Sequence, residues 1–561
     1  MIQKKIILAQ TTEELKYILQ KLNSRKNTFC VPLNLDIQLY CLENKINFFN
    51  PIYYLKSDFH KVSLMESEKM LKKLEFDKNY SLSEMISVKA FLRFHFNSVV
   101  FLIELINKIS KKESIDKIIV SGWNNYKNTY DEKNYFVSNL VKSLFNKKTI
   151  VLRKINIGKI KDLSSNYRIN FKNLTKKKII VFTNLGYNNF RIIKLLKQKT
   201  NNLIFLTPKI EKLSLAKKIL FKLLNVNFFD FEKIKSNKKS YLKLPLVKYS
   251  YKERFNLTKI LNRRINQESW QISQNKNKLI AIRDFFSKHK PSLVISNNSR
   301  DVDGKFLDIA HEKNIPFMCI PHGTITSYFN RYDKIYKKVI ADSITYPGSN
   351  FISQSKISNS YYKKEKKEYK KIIKSGNILF SENKNLKRKN KKILYAVTSK
   401  DFQNIQFLGV EMYYEYLDNL NFLNNFSKKN DLEIFVKNHP SISKFTELLQ
   451  KRFTNLLFTD LQIQKILSKT SLTISFSSSV IEDSLHCHNP IILLDRWKRY
   501  KHCNAELNPN KKNRSIYYIN KEDNLIKCIN TIFNSTSYNF KNYISKSSSK
   551  ANIKEVFSQY Y

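Results

Sequence analysis

Glycine is unusually scarce in this chain. Only eight occur in 561 residues, at positions 122, 158, 186, 304, 323, 348, 376 and 409, and no two lie closer than 19 residues. Phosphate loops of the GxGxxG and GxxxxGK[ST] types need glycines roughly three to five apart, so that bare backbone N–H groups can approach the phosphate. Their absence excludes a P-loop nucleoside triphosphatase, an ordinary nicotinamide-binding Rossmann enzyme and a kinase-type glycine loop. Cysteine is also sparse. Residues 30, 41, 319, 487, 503 and 528 are too few and too irregular for a disulfide framework, which favours a reducing compartment. Long apolar runs are missing as well: Val99–Ile106, interrupted by Glu104, falls well short of the roughly 18 to 20 residues of a membrane span. The start, MIQKKIILAQ, has neither the length nor the small-residue cleavage pattern of a signal peptide. The expectation is a cytoplasmic protein whose membrane contact, if any, is peripheral, at the cytoplasmic face of an anionic inner membrane.

Negative charge is the other shortage, with 46 Asp+Glu against 101 Lys+Arg and a formal charge of +55. Sixteen of the basic residues are Arg and 85 are Lys. Proteins that read nucleic acid lean on the bidentate fork of Arg, and no RRM, KH or zinc-finger pattern is present. The chain is also rich in Asn, Ile, Phe and Tyr, so the lysine excess reads mainly as compositional drift. A surface this basic still attracts phosphates, nucleotides and anionic membranes. With 42% hydrophobic and 13% aromatic residues the chain can bury sizeable cores, and its length implies about two to four domains.

Short β-branched and aromatic runs alternate with helical patterns through most of the length, the mark of α/β architecture with parallel sheets. Strands are predicted near 28–33, 117–121, 148–153, 178–183, 203–207, 292–296 and 315–320. A second group follows near 393–398, 432–437, 455–459, 471–476, 490–494 and 515–519, and the two groups read as two sheets. Helical runs near 12–22, 64–75 and 83–111 suggest a helical elaboration on the first sheet. The expected division is an N-terminal mixed and helical part over 1–115, a Rossmann-like domain over 116–350, a linker over 351–391, a second Rossmann-like domain over 392–535 and a polar tail over 536–561. Within the linker, YYKKEKKEYKKIIK (361–374) reads as a solvated connecting helix.

Three clusters stand at the carboxyl ends of predicted strands, where open α/β sheets place their ligands. Pro321-His322-Gly323-Thr324 follows the strand at 315–320, and a glycine beside a histidine there suggests a bend presenting the imidazole to a crevice. A His of near-neutral pKa suits a general base for a hydroxyl nucleophile. Lys437-Asn438-His439-Pro440 ends the strand at 432–437, where Lys437 and His439 could neutralise a diphosphate. Ser477-Ser478-Ser479 follows the strand at 471–476, and hydroxyls with helix N–H groups make an anion site that needs no glycine. One turn on, Glu482 could accept hydrogen bonds from ribose hydroxyls. His486-Cys487-His488 with His502 and Cys503 matches no standard zinc spacing. Arg496, Trp497 and Arg499 read either as nucleotide-base contacts or as a helix coat.

Taken together these motifs resemble the GT-B glycosyltransferases of bacterial surface-carbohydrate and capsule polysaccharide biosynthesis, a group that includes polysialyltransferases and CDP-glycerol glycerophosphotransferases. The resemblance covers roughly 290–500, while the N-terminal third matches by architecture only. It implies two Rossmann-like domains facing a cleft, with a nucleotide-sugar donor (CMP-, CDP- or UDP-linked) on the C-terminal side and a glycan or lipid-linked acceptor on the N-terminal side. It implies His322 as catalytic base, with Asp303 in SRDVDGKF as a rival. Lys437, His439, Ser477, Ser478, Ser479 and Glu482 would bind the donor, with Gly323, Thr324 and Pro440 shaping the site. Transfer is expected to be inverting and to need neither metal nor a further cofactor. Two departures stand out: Asn489 replaces a common Gly, in a turn where Asn tolerates the left-handed region, and Ser399-Lys400-Asp401 replaces a glycine loop. The same motifs would serve a CDP-polyol phosphotransferase. A basic nucleic-acid-binding protein or a noncatalytic sugar-binding member of the fold are the other readings.

Overall fold

The computed structural model describes residues 2–55, 59–123, 132–154, 165–170, 177–199, 202–208, 214–235, 245–320, 346–357, 371–380, 391–397, 399, 411–544 and 549–560. The first sheet is fully parallel, in the order β2-β1-β3-β4, from β1 (Lys4–Leu8), β2 (Thr28–Val31), β3 (Ile115–Trp123) and β4 (Thr149–Lys154). Around it lie α1 (Thr12–Lys21), α2 (Leu35–Glu43), α3 (Phe59–Leu71), α4 (Leu82–Lys112) and α5 (Glu132–Leu144). α4 opens on a capping box in which Ser81 and Glu84 satisfy one another's backbone N–H groups. Its length and composition would suit a membrane span, a point the interrupted apolar run concealed, but its most apolar window is 83% buried, the packing of a core helix.

This part of the chain departs from expectation. The predicted helical runs are α1, α3 and α4, but KKIIL, tested above only against a signal-peptide pattern, is an inner strand, β1. β3 pairs with it through Ile6↔Ile118 and Ile7↔Ile119. The strands predicted near 117 and 148 therefore complete a sheet of their own, and the described residues hold three main sheets, not two. A boundary at 115/116 would cut this first sheet.

The middle sheet has the order β14-β13-β12-β11-β6-β7-β8-β5. Its strands are β5 (Ser165–Asn170), β6 (Lys178–Phe182), β7 (Leu203–Pro208), β8 (Val226–Lys235), then, after the hairpin β9 (Ser250–Tyr251) and β10 (Phe255–Asn256), β11 (Leu293–Ser296), β12 (Phe317–Cys319), β13 (Asn350–Ser353) and β14 (Lys371–Lys374). All are parallel except β5, which runs antiparallel to β8. The helices are α6 (Tyr187–Lys197), α7 (Leu215–Leu223), α8 (Thr258–His289) and α9 (Asp301–Glu312). The stretch 351–391, expected to be a linker, thus supplies most of β13 and all of β14. The KIIK end of the expected connecting helix is an edge strand, because Ile372 and Ile373 pack into cores on opposite faces; residues 361–370 lie outside the described residues.

The last sheet, also parallel, has the order β17-β16-β15-β18-β19-β20. It comprises β15 (Ile393–Ala396), β16 (Ile434–Lys437), β17 (Leu456–Phe458), β18 (Leu472–Ser475), β19 (Ile491–Leu494) and β20 (Ile516–Ile519). The C-terminal helix Ser549–Phe557 leaves this sheet and docks on the middle one, where Ile553, Val556, Phe557 and Tyr560 join a core with Ile180, Phe182 and Ile192. Two doubly wound α/β domains with parallel sheets are therefore present, as the motifs implied. In the middle sheet the chain runs from β6 outward to β8 and then returns to β11, so direction reverses between β6 and β11. In the last sheet it reverses between β15 and β18. The first unit braces both: Lys305 pairs with Glu84 of α4 at 2.9 Å, and the Tyr413 hydroxyl donates to Pro32 O at 2.5 Å.

Candidate active site

Asp303 sits in the first turn of α9, directly over the reversal point of the middle sheet. β6 delivers Thr183 and Asn184 there, and β11 delivers Asn298. Asn184 Nδ2 donates to Asp303 Oδ2 at 2.9 Å and Asn298 Nδ2 to the same oxygen at 2.5 Å. Thr183 stands beside the carboxylate, and its hydroxyl donates to Ser296 Oγ at 3.0 Å, tying the two strand ends together. Burial raises the Asp303 pKa above the ordinary carboxylate value; the neighbouring Thr183 hydroxyl and the bond from Asn184 oppose this, Asp301 adds repulsion, and Asn298 opposes it too. Gly304 is there for space. A Cβ at that position would lie 2.2 Å from Ser299 O and 2.7 Å from Ser83 Cβ, so only glycine lets α9 close on α4 and on the loop before it. Arg300, next to this turn, lies over the rings of Phe94 and Phe91 at 5.2 and 5.8 Å, and burial lowers its pKa. His322, Gly323 and Thr324 lie outside the described residues.

The other motifs meet at the reversal point of the last sheet. Lys437 of β16 and Ser475 of β18 both pair with Ala396 of β15, which puts the two strand ends level. Asn438 is the buried member of its motif, accepting from Tyr416 Oη at 2.7 Å and donating to Thr446 Oγ1 at 3.3 Å, while Lys437 and His439 are half-buried on either side of it. Pro440 opens a short turn through Phe445. In the serine loop, Ser475 Oγ donates to Ala396 O at 3.0 Å and accepts from Ser478 N at 3.2 Å. Ser478 is buried and its hydroxyl accepts from Val480 N at 3.3 Å, whereas Ser477 and Ser479 are half-buried. Ser479 precedes the helix Val480–His486 but makes no side-chain cap.

Glu482 is 1% exposed, and its Oε1 accepts from Ser355 Oγ at 2.7 Å. Because Ser355 follows β13, this bond joins the carboxyl ends of the middle and last sheets, and Phe380 stacked on His486 at 5.8 Å lies beside it. The left-handed residue of the next turn is His488, with φ of 58°, and not Asn489, which is buried and donates to Leu467 O and Thr470 O. His486 stacks on Phe380, His488 meets the Phe540 edge and His502 bonds Tyr500 Oη, so these imidazoles face different partners. Arg496 pairs with Asp418 and Glu522. Arg499 is wholly buried, donating to Glu415 at 2.8 and 3.0 Å and to His60 Nε2 at 2.7 Å, with its plane over Phe476. Neither arginine coats a helix, and both are committed to protein partners. The sequence does not single out Thr183, Asn184, Asn298, Ser355, or the Glu415 and His60 that hold Arg499. For the first three a signal existed, since polar residues directly follow the strands FT-N and IS-NN.

No family model matches this chain, and no curated protein matches it in sequence. Among solved structures, the UDP-GlcNAc 2-epimerase of Methanocaldococcus jannaschii is 14% identical, with 68% of this chain and 99% of that one covered and a TM-score of 0.37. That of Neisseria meningitidis, bound to UDP-GlcNAc, is 11% identical over 68% and 99%, with a TM-score of 0.38. Anabaena Alr3699/HepE in complex with UDP-glucose is 11% identical over 68% and 94%, with a TM-score of 0.34. At scores this low the likeness says nothing of what this chain binds.

Proposed function

We propose that this chain is a glycosyltransferase that moves a sugar from a nucleotide-sugar donor to a glycan or lipid-linked acceptor. One observation carries the reading. A partly desolvated carboxylate stands at the reversal point of one doubly wound sheet, a Lys, a His and a serine loop stand at that of the other, and Ser355–Glu482 joins the two strand-end edges. In this reading Asp303, or its rival His322, takes the proton of an acceptor hydroxyl. The oxygen attacks the anomeric carbon as its bond to the nucleotide phosphate breaks. Lys437, His439 and the half-buried serines stabilise the charge that develops on the departing phosphate. A single displacement inverts the anomeric centre, and fixed cationic groups take the part that a metal ion has in other transferases. The nucleotide sugar is the substrate, and the reading needs no further cofactor.

The test is a panel of CMP-, CDP- and UDP-linked donors, scored by melting and then by turnover. A donor at about 100 times its dissociation constant adds about 2.7 kcal/mol to stability. Turnover is expected to fall in His439→Ala, and in His322→Ala or Asp303→Asn, whichever holds the base. Stabilisation by none of the donors overturns the reading, and so does unchanged turnover in all three variants.

A further inference from the structure

We propose that α7 is a docking element for an anionic lipid surface. In this nine-residue helix Leu215, Ile219, Leu220 and Leu223 are 74%, 54%, 40% and 69% exposed. The exposure does not come from a loose helix. Ser214 Oγ accepts from Lys217 N at 3.4 Å, and Phe221 is wedged edge-on between Phe190 of α6 and Phe228 of β8, with ring centroids 5.7 Å from each. Ile219 and Leu223 each lie two residues from Phe221, so they point about 160° away from that anchor. Leu215, Ile219 and Leu223 recur every fourth residue and form one outward stripe.

Lys217, Lys218 and Lys222 are exposed beside the stripe, and the helix has no acidic residue. α1, of similar length, shows the usual arrangement, with its Leu15, Ile18 and Leu19 all buried. Apolar surface on a soluble domain is normally scattered singly, and a contiguous stripe rimmed by one charge sign marks an interaction face. A basic helix with a Leu/Ile face suits the plane between lipid headgroups and acyl chains. Lysine is spread over the whole chain and would not single out α7; the stripe does. The +55 charge supplies long-range attraction to an acidic surface, and α7 supplies the point of insertion. Vesicle binding needs no donor and no turnover, so this inference stands or falls apart from the sugar-transfer reading. If both hold, the domain carrying Asp303 is the one brought to the lipid.

Flotation of the full chain with vesicles of phosphatidylcholine alone, or of phosphatidylcholine with phosphatidylglycerol, tests this. The wild type is expected to float only with the anionic vesicles. The combined variant Leu215→Ser, Ile219→Ser, Leu223→Ser should lower partition at least about tenfold while melting like the wild type, since it removes exposed side chains and no charge. Lys217→Gln, Lys218→Gln, Lys222→Gln should weaken binding less and flatten its salt dependence. The proposal is overturned if the wild type does not float, or if the stripe variant floats equally well. It is overturned too if the wild type is a dimer that the stripe variant makes monomeric without any vesicle binding, which would assign this face to a second copy.

Discussion

The two strand-end edges solve opposite problems. At the middle sheet, one carboxylate is drawn into a partly dry position and held by two amide donors, both just past strands that reverse direction beneath it. At the last sheet, the polar groups of the serine loop are spent on the backbone, with Ser475 and Ser478 fixing the turn, while Lys437 and His439 stay half-buried above it. The first edge perturbs one acid and immobilises it. The second builds a rigid rim and leaves a lysine and an imidazole half-buried beside it. A base needs the first arrangement, because its pKa has to rise toward the working pH. A phosphate needs the second, because dianionic oxygens seek several donors and positive charge at once.

Asp303→Asn separates the two edges most sharply. If Asp303 is the base, turnover falls by about 10²- to 10⁴-fold, while donor-induced stabilisation, which the proposed reading assigns to the last sheet, stays as in the wild type. In the wild type the rate should be lost as pH falls through a value above the ordinary carboxylate range, since burial raises this group. The stability consequence has the opposite sense to the usual acid. A carboxyl whose folded pKa is raised contributes stability below its unfolded pKa and loses it as pH rises through the folded one. Asp303→Asn should therefore melt no lower than the wild type at neutral pH. A variant that loses activity and also melts much lower would make Asp303 a structural residue and return the base to His322.

Arg499→Ala tests whether the last sheet's edge is held from outside. Arg499 lies over Phe476, next to the serine loop, and its partners Glu415 and His60 come from the helix Tyr413–Asn430 and from α3. Removing it leaves a buried Glu415 without its counter-charge, a loss of about 3–5 kcal/mol. Burial already pushes the Glu415 carboxyl up to about 7 against the pull of Arg499. Without Arg499 the acid favours its neutral form still more, so the melting deficit should be greatest above pH 7 and shrink on acidification. Thermal melts across that range check it. A deficit that does not change with pH would show that packing on Phe476, and not charge, holds the edge.

The fold's legibility followed the same divide. Strands buried on both faces, such as KIIVF, LVIS, ILYA and IILL, read clearly as uninterrupted β-branched runs. KKIIL and KIIK did not, because lysines flank their few apolar residues and only pairing with neighbours makes strands of them. The segments 28–33, 117–121 and 148–153 were recognised as strands, but which sheet they join depends on a register between residues over a hundred positions apart. The motifs at 437–440 and 475–479 do converge on one edge, as strand-end positions allow one to expect. The partners of Asp303 were hidden for a different reason: Thr183 and Asn184 lie about 120 residues before it, and only the reversal of strand order brings them to it. The bond between Glu482 and Ser355 is equally long-range, and no local pattern announces it.

The smallest expected effect is at Ser475, and it bears on whether the serine loop is a scaffold or a contact. Its hydroxyl makes two bonds inside the protein, giving to Ala396 O and receiving from Ser478 N, and the side chain is wholly buried. Ser475→Ala removes both, at a cost of about 1 kcal/mol for a neutral bond network with one backbone donor left unpaired. Donor affinity should weaken only as far as the loop loosens, by a few-fold at most on the same scale. Ser477→Ala removes a half-buried hydroxyl instead, and should weaken donor binding by more, relative to its effect on the melt, than Ser475→Ala does. If the order is reversed, with Ser475 mattering for the donor and Ser477 for the melt, then the phosphate is held deeper than the rim, and the half-buried serines are the scaffold.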